Sequence, residues 1–256
     1  SKGKTRQLGD GQTMANKLGI PVVYDFRTKD MKGGGQGAPL CPIYHASLLK
    51  KMGVTSTTAI LNLGGLGNLS CYSEKYGLIA FDTGPANAPI NDWIKSFNNG
   101  QMDVDGEIAA RGKADESTLA KILTDPYFEV SFPKSLDRFD FSCKIAKGMS
   151  LEDGAATLTA LVGTSVGKGL DLLPTRPTHL IVSGGGRKNV TMMQEISSRA
   201  NIKVESADEY NWRGDAIEAE CFAFLAARTL ANLPISYPKT TGVLKPMKGG
   251  IIAYPS

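Results

Sequence analysis

Asp82 stands in the stretch Thr58 to Pro89, TAILNLGGLGNLSCYSEKYGLIAFDTGPANAP, among residue types that bind anions. Two β-type runs, Ala59 to Leu63 and Leu78 to Phe81, flank a Gly-rich turn and a short polar excursion. Asn62, Gly64, Gly65, Gly67 and Asn68 lie at the turn; Asp82, Thr83, Gly84 and Asn87 lie just past the second run. Glycine lets backbone N–H groups approach an anion, and successive N–H groups in a turn form an anion-binding nest. A carboxylate at the mouth of such a hairpin would act as a base beside a bound phosphate. Asp in a DTGP segment also caps turns, and on the residues alone that is the commoner role.

Other stretches compete for the chemistry. Gly163 to Lys168 (GTSVGK) imitates a phosphate loop, but it is one residue short, ends in Gly169 and lies within a helical pattern, so a Walker motif is excluded. Gly65 to Ser70 follows a strand but precedes another strand, which excludes a dinucleotide fingerprint. Ile181 to Met193 reads strand, Gly184-Gly185-Gly186, helix, an order that suits a nucleotide at a helix N-terminus. An unliganded tight turn accounts for it equally well. Asp25 and Asp30 flank Arg27, a spacing that an ion pair would explain. Asp103, Asp105 and Gly106 resemble the start of a calcium loop without its terminal Glu. His45 and His179 are the only histidines and propose no metal site with the cysteines.

The elements that must position these residues alternate between strand and helix, which gives an α/β class. The periodicity predicts helices over Gly11 to Leu18, Pro42 to Met52, Ala88 to Phe97, Ser117 to Leu123, Leu151 to Leu173 (capped by Ser150), Met192 to Ala200 and Asp215 to Asn232. Further strands are expected at Ile20 to Phe26, His179 to Ser183 and Ile202 to Glu205. Met102 to Gly112 and the tail from Pro234 read as loops. At 256 residues, 41% hydrophobic, the chain can bury a real core. A net charge of +4 without a dense basic tract disfavours nucleic acid. No apolar run is long enough to span a membrane. Four cysteines without metal-like spacing read as reduced thiols in a cytoplasmic protein.

Jointly, the segments DFRTKD–GGGQGAPL (Asp25 to Leu40), LNLGGLGN, FDTGPAN, PKSLDR (Pro133 to Arg138), IVSGGGRKN, EAECFAFLA (Glu218 to Ala226) and PKTTGV (Pro238 to Val243) resemble anhydro-N-acetylmuramic acid kinases. Those are sugar kinases of the actin/hexokinase/Hsp70-type ATPase superfamily. Two departures stand out: Ala86 replaces a glycine, and Leu136-Asp137 replaces a Thr-Gly pair. The resemblance implies an actin-like, ribonuclease-H-like fold. It further implies that the chain opens downstream of the family's SGTSxDG phosphate loop, so that residues 1–40 are the remainder of the N-terminal lobe and residues 41–256 a complete C-terminal lobe.

The implied activity is ATP-dependent conversion of 1,6-anhydro-N-acetylmuramic acid and water to N-acetylmuramic acid 6-phosphate, with Mg²⁺, in peptidoglycan recycling, by a cytoplasmic homodimer. Asp82 matches the family's catalytic base. Asn62, Gly64, Gly65 and Asn68 would lie near the phosphates. Gly184, Gly185, Gly186 and Asn189 would lie under the adenosine. Arg27, Asp30, Gln36 and Gly37 would face the sugar. The competing expectation is a nucleotide-binding module without kinase activity, or an inactive fragment.

Overall fold

The computed structural model describes residues 7–54 and 57–256. In chain order the elements begin with α1 (Gly11–Leu18), β1 (Val22–Tyr24), α2 (Thr28–Lys32) and α3 (Pro42–Met52). A hairpin pair follows, β2 (Thr58–Leu63), β3 (Leu66–Ser73) and β4 (Gly77–Pro85), then α4 (Asn87–Ser96), α5 (Glu107–Arg111) and α6 (Glu116–Ile122). The long α7 (Leu151–Asp171) leads to β5 (His179–Ser183), α8 (Val190–Ala200), β6 (Lys203–Ser206), α9 (Ile217–Leu230), α10 (Pro238–Thr241) and β7 (Ile251–Ala253).

Five strands form one sheet in the order β4-β3-β2-β5-β6. β2, β3 and β4 make an antiparallel meander, while β5 runs parallel to β2, and β6 to β5. Side chains alternate across the two faces, as the strand period requires. Leu61, Leu63, Leu180 and Val182 enter a core with Ile90 and Trp93 of α4, Leu158, Val162 and Val166 of α7, and Met192 and Ile196 of α8. Ile60 and Ile181 point the other way, to Leu49 of α3 and Ile217 of α9. Helices thus cover both faces, and the C-terminal ends of β2 and β5 lie side by side.

α7 is buried nearly all round, because α4, α5 and α8 pack on it as well as the sheet. Its glycines explain the false phosphate loop. A Cβ on Gly163 would stand 2.6 Å from the Glu195 carbonyl oxygen, and one on Gly167 3.3 Å from Ala200 Cα. The small residues of GTSVGK are what let the α8 backbone approach. Asp103, the start of the suspected calcium loop, spends both carboxylate oxygens on the N–H groups of Ile108 and Ala109 in α5, at 2.8 and 3.0 Å.

Several expectations need correction. The stretch between the first Gly-rich turn and Leu78 is strand β3, and Asp82 lies inside β4 instead of past it. Met102 to Gly112 contains α5. The tail is not loop throughout, since it carries α10 and β7, and β7 pairs antiparallel with β1 through Val22–Ala253, Val23–Ile252 and Tyr24–Ile251. The tail thus returns to the first segment, and Phe26 and Leu40 share a core with Cys221, Leu225 and Ile235.

Gly163→Val should destabilise the protein by about 2–3 kcal/mol despite removing a helix-weakening glycine, because the added carbons meet α8 backbone. Urea unfolding checks this. A midpoint unchanged or raised would mean that α8 does not need the close approach.

Candidate active site

One cavity of about 450 Å³ opens at the ends of β2 and β4, within the range of small-molecule sites. Its wall includes Arg27, Asn62, Gly64, Gly65, Asn68 and Asp82, six of the residues singled out above. His45, Arg138, Glu218 and Phe222 also line it.

Asp82 is aimed by strand alternation, at the last regular pair of the hairpin before an irregularity. The β3–β4 register shifts between Gly67, opposite Gly84, and Asn68, opposite Asp82, which leaves Thr83 as the extra residue of a bulge. Phe81 and Thr83 both approach Gly169 of α7, so Asp82 between them projects from the opposite face. Thr83 fixes the bulge by donating its hydroxyl to Gly67 C=O at 3.2 Å. Asn68 then stands directly across and donates Nδ2–H to Asp82 Oδ1 at 3.0 Å. Leu136 N–H donates to Oδ2 at 2.9 Å. Burial pushes the Asp82 pKa above the ordinary aspartate value, and the Asn68 and Leu136 donors pull against that rise. Because Leu136 acts through its backbone, the side-chain departure at this position leaves the bond intact.

The Gly-rich turn closes on α4. Gly64 C=O accepts from Asn87 N–H, and Gly65 C=O from Ala86 and Ala88 N–H, at 3.0–3.1 Å. Asn87 Nδ2 bridges Leu63 and Gly64 C=O. The start of α4 is thus spent on the turn instead of being left free for a phosphate. The triple-glycine turn packs beside the same strand end. A Cβ on Gly184 would strike Asn62 Oδ1 and one on Gly186 would strike Leu63 Cβ, whereas Gly185 faces open space. Arg187 anchors this turn, donating to Asp208, Asp215 and Gly184 C=O. Asn189 is buried and caps α8, its Oδ1 accepting from Met192 N–H at 2.8 Å.

The sugar-side expectations divide. Arg27 lines the cavity and donates to Gly37 C=O at 2.6 Å. Asp30 forms no pair with Arg27 and does not face the cavity. It is 2% exposed, with Oδ1 accepting from the Thr241 hydroxyl at 2.6 Å and Oδ2 from Gly37 N–H at 2.8 Å. Gly37 is held by these bonds, and Gln36 is exposed, its N–H donating to Thr241 C=O. Asp30 therefore shapes the GGGQG loop from behind. Sequence reasoning gave no role to Glu218 or Arg138, although both stand in quoted motifs; their motif membership was the available signal. His45 is packed: its Nδ1 meets Ser70 Oγ at 3.0 Å, and burial pushes its pKa down to about 4, so it is neutral at pH 7.

Chemically, the cavity offers one buried carboxylate braced on both oxygens, a second carboxylate at Glu218, two guanidinium groups and an apolar wall. Such a set can take a proton from water while binding a polar, anionic substrate pair.

The sequence model for "Anhydro-N-acetylmuramic acid kinase" matches residues 1–255. The protein of that name from Rhizobium rhizogenes is 56% identical over 98% of this chain and 68% of its own length. That from Brucella anthropi is 56% identical over 97% of this chain and 67% of its own. Among solved structures, component A of the (R)-2-hydroxyglutaryl-CoA dehydratase of Acidaminococcus fermentans overlaps 73% of this chain and 68% of itself, at TM-score 0.44 and 13% identity, too slight an overlap to bear on the fold.

Thr241→Val should cost about 1–3 kcal/mol, since it strips a donor from a buried carboxylate. It should also speed amide exchange at Gln36 and Gly37. Unchanged stability and unchanged exchange would contradict the role given to Asp30.

Proposed function

This chain belongs to the anhydro-N-acetylmuramic acid kinase family, and from that premise we propose that Asp82 is the general base of its reaction. The activity is that of a kinase acting on 1,6-anhydro-N-acetylmuramic acid with ATP, in peptidoglycan recycling; a non-catalytic nucleotide module is not favoured. The observation that carries the role of Asp82 is its placement: strand alternation in the β3–β4 register turns it into the cavity, and two donors keep its carboxylate aligned there.

Asp82 accepts a proton from a water whose oxygen attacks the anomeric carbon. The C1–O6 bond of the anhydro bridge breaks, and the freed O6 attacks the γ-phosphorus as the bond to ADP breaks. Phosphoryl transfer asks mainly for positioning and charge neutralisation. Arg27 and Arg138 supply positive charge at the cavity wall, and Arg27 is itself steadied by Gly37. Asn62, Gly64 and Gly65 border the phosphates, and Gly185 has the open space against which an adenosine can lie. Asn68 takes a role different from the one first expected: it holds the base. Asp30 and Gly37 build the sugar-side loop, with no direct contact assigned to either. Glu218 offers a hard oxygen donor of the kind Mg²⁺ accepts, and that ion would neutralise phosphate charge.

The meander followed by two parallel strands supports an actin-like, ribonuclease-H-like ATPase fold. Residues 7–40 with the returning tail would belong to one lobe, and the sheet with its helices to the other. Family resemblance supports a cytoplasmic homodimer.

Asp82→Asn should retain nucleotide affinity and lose turnover by about 10²–10⁴-fold. A coupled ADP-release assay with the anhydro sugar, beside calorimetry with an ATP analogue, checks both halves. Turnover within a fewfold of the parent protein would remove Asp82 from its role.

A further inference from the structure

The fixings of Asp82 come partly from outside the sheet. A strap running from Pro126 to Arg138 bonds to the open edge of β4. Asp82 N–H donates to Lys134 C=O at 3.1 Å. Lys134 Nζ donates to Tyr127 C=O at 2.8 Å. The Tyr127 hydroxyl donates back to Asp82 C=O. Three residues thus close a ring of hydrogen bonds, and Leu136, two residues beyond Lys134, supplies the donor to Oδ2.

Lys134 is the unusual member. It is 5% exposed, away from the cavity wall. Its ammonium lies 4.3 Å from the ring centre of Tyr127 and 5.6 Å from that of Phe81. Burial pushes its pKa down to about 8, against the opposing charge of Glu129, which itself pairs with Lys168. Burying an ammonium is costly, and a methionine would fill the same apolar slot without that cost. What methionine lacks is the donor that ties the Tyr127 end of the strap to the Leu136 end.

We infer that Lys134 is a positioning residue for the base. It makes no contact with substrate; it holds the strap so that the Tyr127 hydroxyl and the Leu136 N–H reach Asp82 together. This rests on the reading of Asp82 as base, and it adds the device that sets the base's aim and proton affinity. With the tie cut, the Leu136 N–H drifts, the carboxylate loses a donor that favours its charged form, and its proton affinity rises.

The test is Lys134→Met, with two readouts. A ¹³C NMR titration of the Asp82 carboxyl, assigned by its absence in Asp82→Asn, should show titration at higher pH than in the parent. Steady-state kinetics should show kcat lowered about 10- to 100-fold with KM for sugar and ATP unchanged, the pattern of a displaced catalytic group. Lys134→Arg, which keeps a donor for Tyr127 C=O, should recover part of both. An unshifted Asp82 titration overturns the inference, as does kcat within twofold of the parent. Should Lys134→Met fail to fold, Tyr127→Phe opens the same ring more gently and must give the same upward shift; no shift there overturns the inference too. The titration is independent of turnover. Full activity in Asp82→Asn would therefore sink the base reading alone, whereas an unmoved titration sinks the strap.

Discussion

The hydrogen bond between Asn68 and Asp82 across the β3–β4 hairpin is the constraint on which the site depends. It ends the unbroken β3–β4 register that runs from Ser73–Gly77 to Asn68–Asp82, and the ladder shifts by one residue only beyond it, at Thr83. A one-residue change of register moves side chains to the other face of a sheet. A slip of one residue between β3 and β4 would lose the pairing of Asn68 with Asp82. The helices follow from the same geometry. Thr83 and Phe81 must pack on α7, so α7 carries Gly169 at that point. Close packing there fixes the hairpin and, through it, the carboxylate.

The electrostatics of the site are a balance between burial and donation. Enclosure in the cavity raises the proton affinity of Asp82, and the Asn68 and Leu136 donors lower it. A base gains strength from the first effect and stays ionised through the second. His45 has no comparable donor support, and burial leaves it a neutral part of the wall. The contrast shows how two titratable groups lining one cavity can be given opposite charge states by their immediate partners.

Much of this was legible in the sequence, and the failures have physical reasons. Apolar runs such as AILNL and HLIVS, and the capped helix beginning at Ser150, declare themselves through period and end signals. β3 does not, because LGNLSCYS carries glycine, asparagine and serine, and its strand state comes from the neighbours on both sides. Asp82 looked like a residue beyond a strand because aspartate is depleted in strands; only the cross-strand partner reveals why it is tolerated there. Asp30 looked like a partner of Arg27, three residues away. Its actual partner, Thr241, is 211 residues further on, a distance that no local pattern spans. The motif set still brought six site residues to one cavity, because glycine turns at strand ends are fixed by local backbone needs.

The most direct test of the account is the pH dependence of kcat/KM for the anhydro sugar, measured with ATP saturating. An acid limb governed by Asp82 is expected above the ordinary aspartate value of about 3.9, as burial of a working base requires. An acid limb at that ordinary value, or a rate that does not fall on acidification, would contradict the assignment of a buried, braced Asp82 as the base.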